Sequence, residues 1–145
     1  MLHLPRRQLL LLTAMLDIAS GDGSPVRASE LAARHNHPPR YLEPALQRLV
    51  KAGLLVARRG PQGGYLLGKP ASGITLADVL KHGADPLEER CCKGDSALTT
   101  TVITPVLTGL LGRVEDELGR ITLSDLRGAA RQALTCSDAP QDYII

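Results

Sequence analysis

At 145 residues, the chain is long enough for one substantial core, or for a small domain with a dimerisation arm. Hydrophobic residues make up 43%, which excludes intrinsic disorder, and three Tyr with no Trp or Phe leave the core to Leu, Val, Ile and Ala. Net charge is only +2, but residues 1–70 hold ten Lys/Arg against four acids and the remainder seven against eleven, so a +6 front precedes a −4 rear, as in a polyanion-binding module followed by a different part.

Pro5 opens a helix that runs to about Ser20, because Leu11, Ala14, Met15, Ile18 and Ala19 recur at helical spacing and proline suits a first turn. The apolar run from Leu9 to Leu12 is too short for a signal peptide and lacks a cleavage site, and no stretch approaches membrane-spanning length, so a cytoplasmic protein with no membrane partner is expected. Gly21-Asp22-Gly23-Ser24-Pro25 is a turn, Val26 a short extended segment, and residues 28–35 a second helix burying Leu31 and Ala32. Pro38-Pro39 delays the next helix to about Tyr41, which puts Pro44 at the third helical position, where its missing N–H has no helical partner. Over residues 41–52, Leu42, Ala45, Leu46, Leu49 and Val50 form an apolar face opposite Arg40, Glu43, Gln47 and Lys51, and Gly53 caps the end.

Two short apolar strands follow, with Arg58-Arg59-Gly60-Pro61-Gln62-Gly63-Gly64 between them and Tyr65 opening the second. Helix, turn, helix and cationic hairpin, in this order, suit a DNA duplex, with the second helix in the major groove and the hairpin along the phosphates. An ordinary helical hairpin with a solvated turn is the plainer alternative. Arg58 and Arg59 flank three glycines that let the backbone come close to a phosphate ridge or a narrow minor groove, and Tyr65 offers a hydroxyl to a phosphate. Gln47 can pair with adenine, and Glu43 can accept from cytosine N4 or simply support the helix N-terminus through the dipole. Arg40, Arg48 and Lys51 are expected on phosphates, so Arg40, Tyr41, Glu43, Gln47 and Arg48 meet the groove and its walls.

Residues 68–73 form a loop, and Thr75 with Asp78 caps the short helix after it. The pattern returns in Ile121-Thr122-Leu123-Ser124-Asp125, which is shared capping chemistry rather than a domain repeat. A polar loop over residues 83–97 carries Cys91 and Cys92. A long helix over 105–118 presents Val106, Leu107, Leu110, Leu111, Val114 and Leu118, a stripe wide enough for its own domain and a partner. A last helix covers 123–134, and the tail holds Cys136.

Tyr41-Leu42-Glu43, Leu49-Val50-Lys51-Ala52-Gly53-Leu54, Arg59-Gly60-Pro61-Gln62-Gly63-Gly64-Tyr65 and Ile121-Thr122-Leu123-Ser124-Asp125-Leu126 resemble the signature of the Rrf2 family of bacterial transcription regulators, over about residues 1–134. The resemblance implies a homodimer joined through the long helix, with two winged-helix heads on a two-fold-symmetric operator. It also implies three spaced cysteines in cluster-binding members. Here Cys91 or Cys92 takes the first place, while the last cysteine and a nearby histidine fall at about Thr101 and Thr104. Threonine is no useful ligand and clusters want four thiolates or imidazoles, so no cofactor or metal is expected. An iron–sulfur cluster on Cys91 and Cys92 would need Cys136, His3, His82 or a partner subunit to complete it. A thiol switch, with Arg90 and Lys93 favouring the thiolate and Cys136 resolving it, and a pair without sensing role both stay open.

The expected fold is mainly α with a small β-hairpin wing. Residues 1–82 form a winged helix-turn-helix DNA-binding domain, 83–104 a cysteine-bearing sensor loop, 105–134 the dimerisation helix and C-terminal helix, and 135–145 a tail. The expected function is a sequence-specific DNA-binding regulator, a homodimeric repressor responsive to redox or thiol chemistry. The alternatives are a cluster sensor with an atypical ligand set and a protein-interaction regulator that has lost DNA binding. Double-stranded DNA and a second copy are the expected partners, with a protein partner open. No nucleophile–base pair, phosphate-cradling loop or carboxylate dyad argues for an enzyme.

Overall fold

The computed structural model describes residues 5–84 and 96–137. Helix α1 (Arg6–Ser20) buries Leu10, Leu11, Ala14, Met15, Ile18 and Ala19, the face its spacing predicts. Helix α2 (Ala28–Arg34) adds Leu31 and Ala32, and α3 (Pro39–Lys51) adds Leu42, Ala45, Leu46 and Leu49. With Leu55, Ile74, Val79 and Leu123 these side chains close one aliphatic core, and among the described residues no polar or charged one is buried.

Helix α3 begins two residues earlier than Pro38-Pro39 suggests. Pro38 takes the extended N-cap conformation, with ψ 136°, and Pro39 is the first helical residue. Proline suits that place because its φ is already helical and its missing N–H would have been unpaired. Pro44 therefore sits inside the helix rather than at its third position. The amide that would meet the Arg40 carbonyl is absent there.

Strands β1 (Leu55–Arg58) and β2 (Gly64–Leu67) pair antiparallel, from Leu55 opposite Leu67 to Arg58 opposite Gly64. Val26 adds a one-residue rung on the other edge of β2: its N–H donates to the Tyr65 carbonyl at 3.0 Å, and the Tyr65 N–H donates back at 2.8 Å. Gly64 lies so close to this rung that a Cβ would stand 2.7 Å from the Val26 carbonyl.

A 3₁₀ turn (Ala71–Gly73) leads to α4 (Leu76–Gly83), whose N-terminus carries the full capping box of Thr75 and Asp78. Thr122 and Asp125 cap α6 (Leu123–Ser137) in the same way. The two Ile-Thr-Leu copies also pair with each other. The Leu76 N–H donates to the Ile121 carbonyl and the Leu123 N–H to the Ile74 carbonyl, both at 2.9 Å. This ribbon brings α6 back to the head, where Leu123 is fully buried and Arg127 donates to the Ala19 carbonyl at the end of α1.

Helical backbone is present from Ala97, earlier than the loop expected over residues 83–104 would allow. A wide π turn (Thr99–Ile103) runs directly into α5 (Thr104–Arg120), with Pro105 in its first turn. Helix α6 continues three residues past the expected end, which puts the Cys136 backbone in its last turn rather than in a tail. Cys91 and Cys92 lie outside the described residues. Among the described residues, no helix is long and apolar enough to cross a membrane.

Gly64→Ala should destabilise the chain by about 1–3 kcal/mol in urea denaturation, since neither backbone can retreat without losing the rung. A second expectation concerns Asp125. Hydrogen bonds from the Thr122 hydroxyl and amide hold its carboxyl below the usual carboxylate range. A carboxylate depressed in the folded state adds stability above its unfolded value, near pH 4, and loses it as pH falls through the folded value. Asp125→Asn should therefore flatten the decline of melting temperature on the acid side of about pH 4.

Candidate DNA-binding surface

At 100° per residue, Arg40, Glu43, Pro44, Gln47 and Lys51 of α3 share one arc, and all five are exposed. Tyr41 flanks this arc. Its ring carries the Arg40 guanidinium 5.2 Å from the centroid, and Arg7 of α1 approaches at 6.0 Å. These cation–π contacts gather two arginines at the start of the helix.

Arg48 does not join them. It lies seven residues after Tyr41 on the same flank, where α3 packs against α4. Its Nη2 donates to the Gly83 carbonyl at 2.8 Å, in the last turn of α4, and its Nε is buried without a partner. A cation at a helix C-terminus meets carbonyls that lack helical donors. The expected phosphate contact is thus replaced by an inward, helix-capping one.

Burial and then the negative charge of Glu43 push the Tyr65 hydroxyl above its ordinary value. Helix α3 packs against β1, the first strand of the wing. Tyr65 is half-buried, with its ring against the core. Beyond it, Arg58, Arg59, Gly60, Pro61 and Gln62 are all exposed.

The wing glycines divide into two kinds. Gly60, at φ +108°, supplies a backbone conformation that a side chain strains, and its carbonyl accepts from the Gly63 N–H at 2.9 Å to close the turn. Gly63 is buried, and a Cβ there would lie 2.4 Å from the Arg58 carbonyl. Gly63 and Gly64 are thus small because the hairpin folds tightly on itself and on Val26. The expectation that they make room for a phosphate is corrected to that extent.

One residue that sequence patterns gave no reason to single out joins this surface. Arg27, just before α2, donates from Nη2 to the Pro61 carbonyl at the tip of the wing. On the same side of the helix pair, Arg34 binds Asp17 at 2.9 Å and Glu30 at 2.5 Å, and these carboxylates raise its pKa above the ordinary value. His35 and His37 line an open depression of about 320 Å³ with Arg6, Leu9, Leu10 and Thr13. Among the described residues, no three His, Cys, Asp or Glu are grouped to hold a metal.

The second surface is the arm. Val106, Leu107, Leu110, Leu111 and Val114 are each at least half exposed, and Leu118 is half-buried. Leu98, Val102 and Ile103 extend the same exposed series toward its start.

Known proteins share this architecture. The family model described as an iron-dependent transcriptional regulator, Rrf2, matches residues 6–128. The HTH-type transcriptional regulator IscR of Yersinia enterocolitica is 39% identical over 123 residues, covering 79% of this chain and 72% of that protein. IscR of Escherichia coli O1:K1 / APEC is 35% identical over 113 residues, 70% of each chain. Among solved structures, T. potens IscR superposes with a TM-score of 0.69 at 29% identity, covering 98% of this chain and 95% of that one. CymR, the global cysteine regulator of B. subtilis, gives 0.64 at 26% identity, with 89% and 98% covered. On its head, wing and paired capping motifs, the chain belongs to the Rrf2 family of winged-helix, DNA-binding transcriptional regulators, which are not enzymes.

Proposed function

We propose that the chain is a cytoplasmic, homodimeric repressor that reads a two-fold-symmetric operator. The observation that carries this reading is the exposed arc of Arg40, Glu43 and Gln47 on α3, followed by a hairpin that packs on α3 through β1 and exposes Arg58 and Arg59. Arg40, Glu43 and Gln47 then face base edges and phosphates in the major groove, while Arg58 and Arg59 reach the flanking backbone or minor groove. Tyr41 holds Arg40 in place, and Arg48 holds α3 against α4.

The exposed stripe on α5 supports the dimer. Half-exposed aliphatic side chains recurring at helical spacing gain roughly 25 cal/mol per Å² when a partner covers them. A second copy presents the same stripe, so one isologous contact serves both chains.

The donor set does not fit a four-ligand iron–sulfur cluster within one chain. Thr101 and Thr104 stand in helical backbone, and the chain offers only the adjacent Cys91 and Cys92 and the distant Cys136 as thiols. Thiol chemistry at Cys91 and Cys92, beside Arg90 and Lys93, is the signal we favour. A stoichiometric iron content with visible absorbance after anaerobic purification would overturn that choice.

Arg59→Ala should weaken operator binding by about 1–3 kcal/mol and lower the salt slope by about one, as read by fluorescence anisotropy. Arg48→Ala should instead lower folding stability, by about 1–3 kcal/mol, and leave the salt slope unchanged. Leu110→Asp should shift the chain to monomer in analytical ultracentrifugation and abolish cooperative operator binding. A Leu110→Asp dimer of wild-type affinity would remove α5 from the interface.

A further inference from the structure

We infer that Arg27 is a positioning residue for DNA recognition: it holds the tip of the wing in the stance from which Arg59 is presented. The inference rests on the DNA-reading function proposed above and concerns a residue outside both the helix and the wing.

Its placement follows from local geometry. Val26 is in extended backbone, paired with Tyr65, and its side chain is buried. In extended backbone the next side chain points the opposite way. Arg27 is itself extended, with φ −78° and ψ 147°, so its side chain leaves the core and is exposed. From there Nη2 reaches the Pro61 carbonyl, 34 residues away in sequence. Arginine has the length and the forked donors that this reach requires.

The wing has little else to fix its tip. The Arg58–Gly64 pair is the last of the ladder before the turn, and the Val26–Tyr65 pair lies one residue further back. Within the turn, the Gly63 N–H to Gly60 carbonyl bond closes the far half. Arg59 lies between the last strand pair and that closed turn, next to a glycine at φ +108°. A side-chain tether on Pro61 therefore fixes the closed turn, and with it the adjoining Arg59, relative to the helices. A loop ordered in advance does not lose that freedom again when it meets a ligand.

A positioned wing and a direct phosphate contact by Arg27 make different predictions. The test is a double-mutant cycle on the full chain, with operator affinity measured by anisotropy at several salt concentrations. Arg27→Ala should lose about fivefold in affinity with an unchanged salt slope and an unchanged melting temperature. In an Arg59→Ala background the same change should cost less than about twofold, because nothing remains to be presented. In the free protein, ¹⁵N relaxation should show greater mobility at Gly60 and Gln62 in Arg27→Ala.

Equal losses in both backgrounds, or a salt slope lower by about one, would make Arg27 an independent phosphate contact and overturn the inference. Undiminished affinity or unaltered relaxation at the tip would overturn it too. A wild-type chain with no salt-sensitive duplex affinity would sink the DNA-reading function along with it. Wild-type binding with additive losses sinks this inference alone.

Discussion

Two backbone hydrogen bonds between Val26 and Tyr65 set the relation between the hairpin and the helices. An isolated two-stranded hairpin is marginal in water, and this one gains a rung on its other edge from the segment that feeds α2. Because that segment also enters the helix pair, the wing and α3 share one frame. Gly64 permits the contact by having no side chain to place between the two backbones.

A second join does the same for the arm. The Ile-Thr-Leu copies at residues 74–76 and 121–123 form a short ribbon, and each threonine also caps the helix that follows it. Backbone groups left over at helix starts are satisfied by side chains, while the amides and carbonyls between them pair across the ribbon. The end of α5 is thereby fixed against the start of α4, and α6 returns onto α1. In the proposed dimer, this junction would set how far apart the two heads stand.

The features legible in the sequence are those with local causes. The faces of α1 and α3, both capping boxes, the hairpin and the extended Val26 all follow from spacing, caps and turn residues. The misplaced features depend on what lies across space. The start of α3 is the local exception: two prolines in a row suggest a barrier, whereas the first helical position accepts one. Arg48 carries the same charge as Arg40, and only the packing of α4 shows that it points inward. Gly63 and Gly64 look like an accommodation to a ligand until the Arg58 and Val26 backbones are seen beside them. The polar run Ser96 to Thr101 lacks apolar periodicity, yet helical backbone spans Ala97 to Thr101, with Ser96 hydroxyl bonds at its start. Arg27 bears on the wing through a neighbour 34 residues away, which no periodicity encodes.

The arm carries a thermodynamic corollary. Eight aliphatic side chains from Leu98 to Val114 are at least half open to water in a lone chain. Helix α5 buries none of its own residues, so little within the chain rewards its order. In the proposed dimer, folding of this part would be linked by mass action to the second copy that covers it, and its melting temperature would fall on dilution. The head, whose aliphatic core closes within the chain, would depend on concentration less, so the two parts of one polypeptide would respond differently.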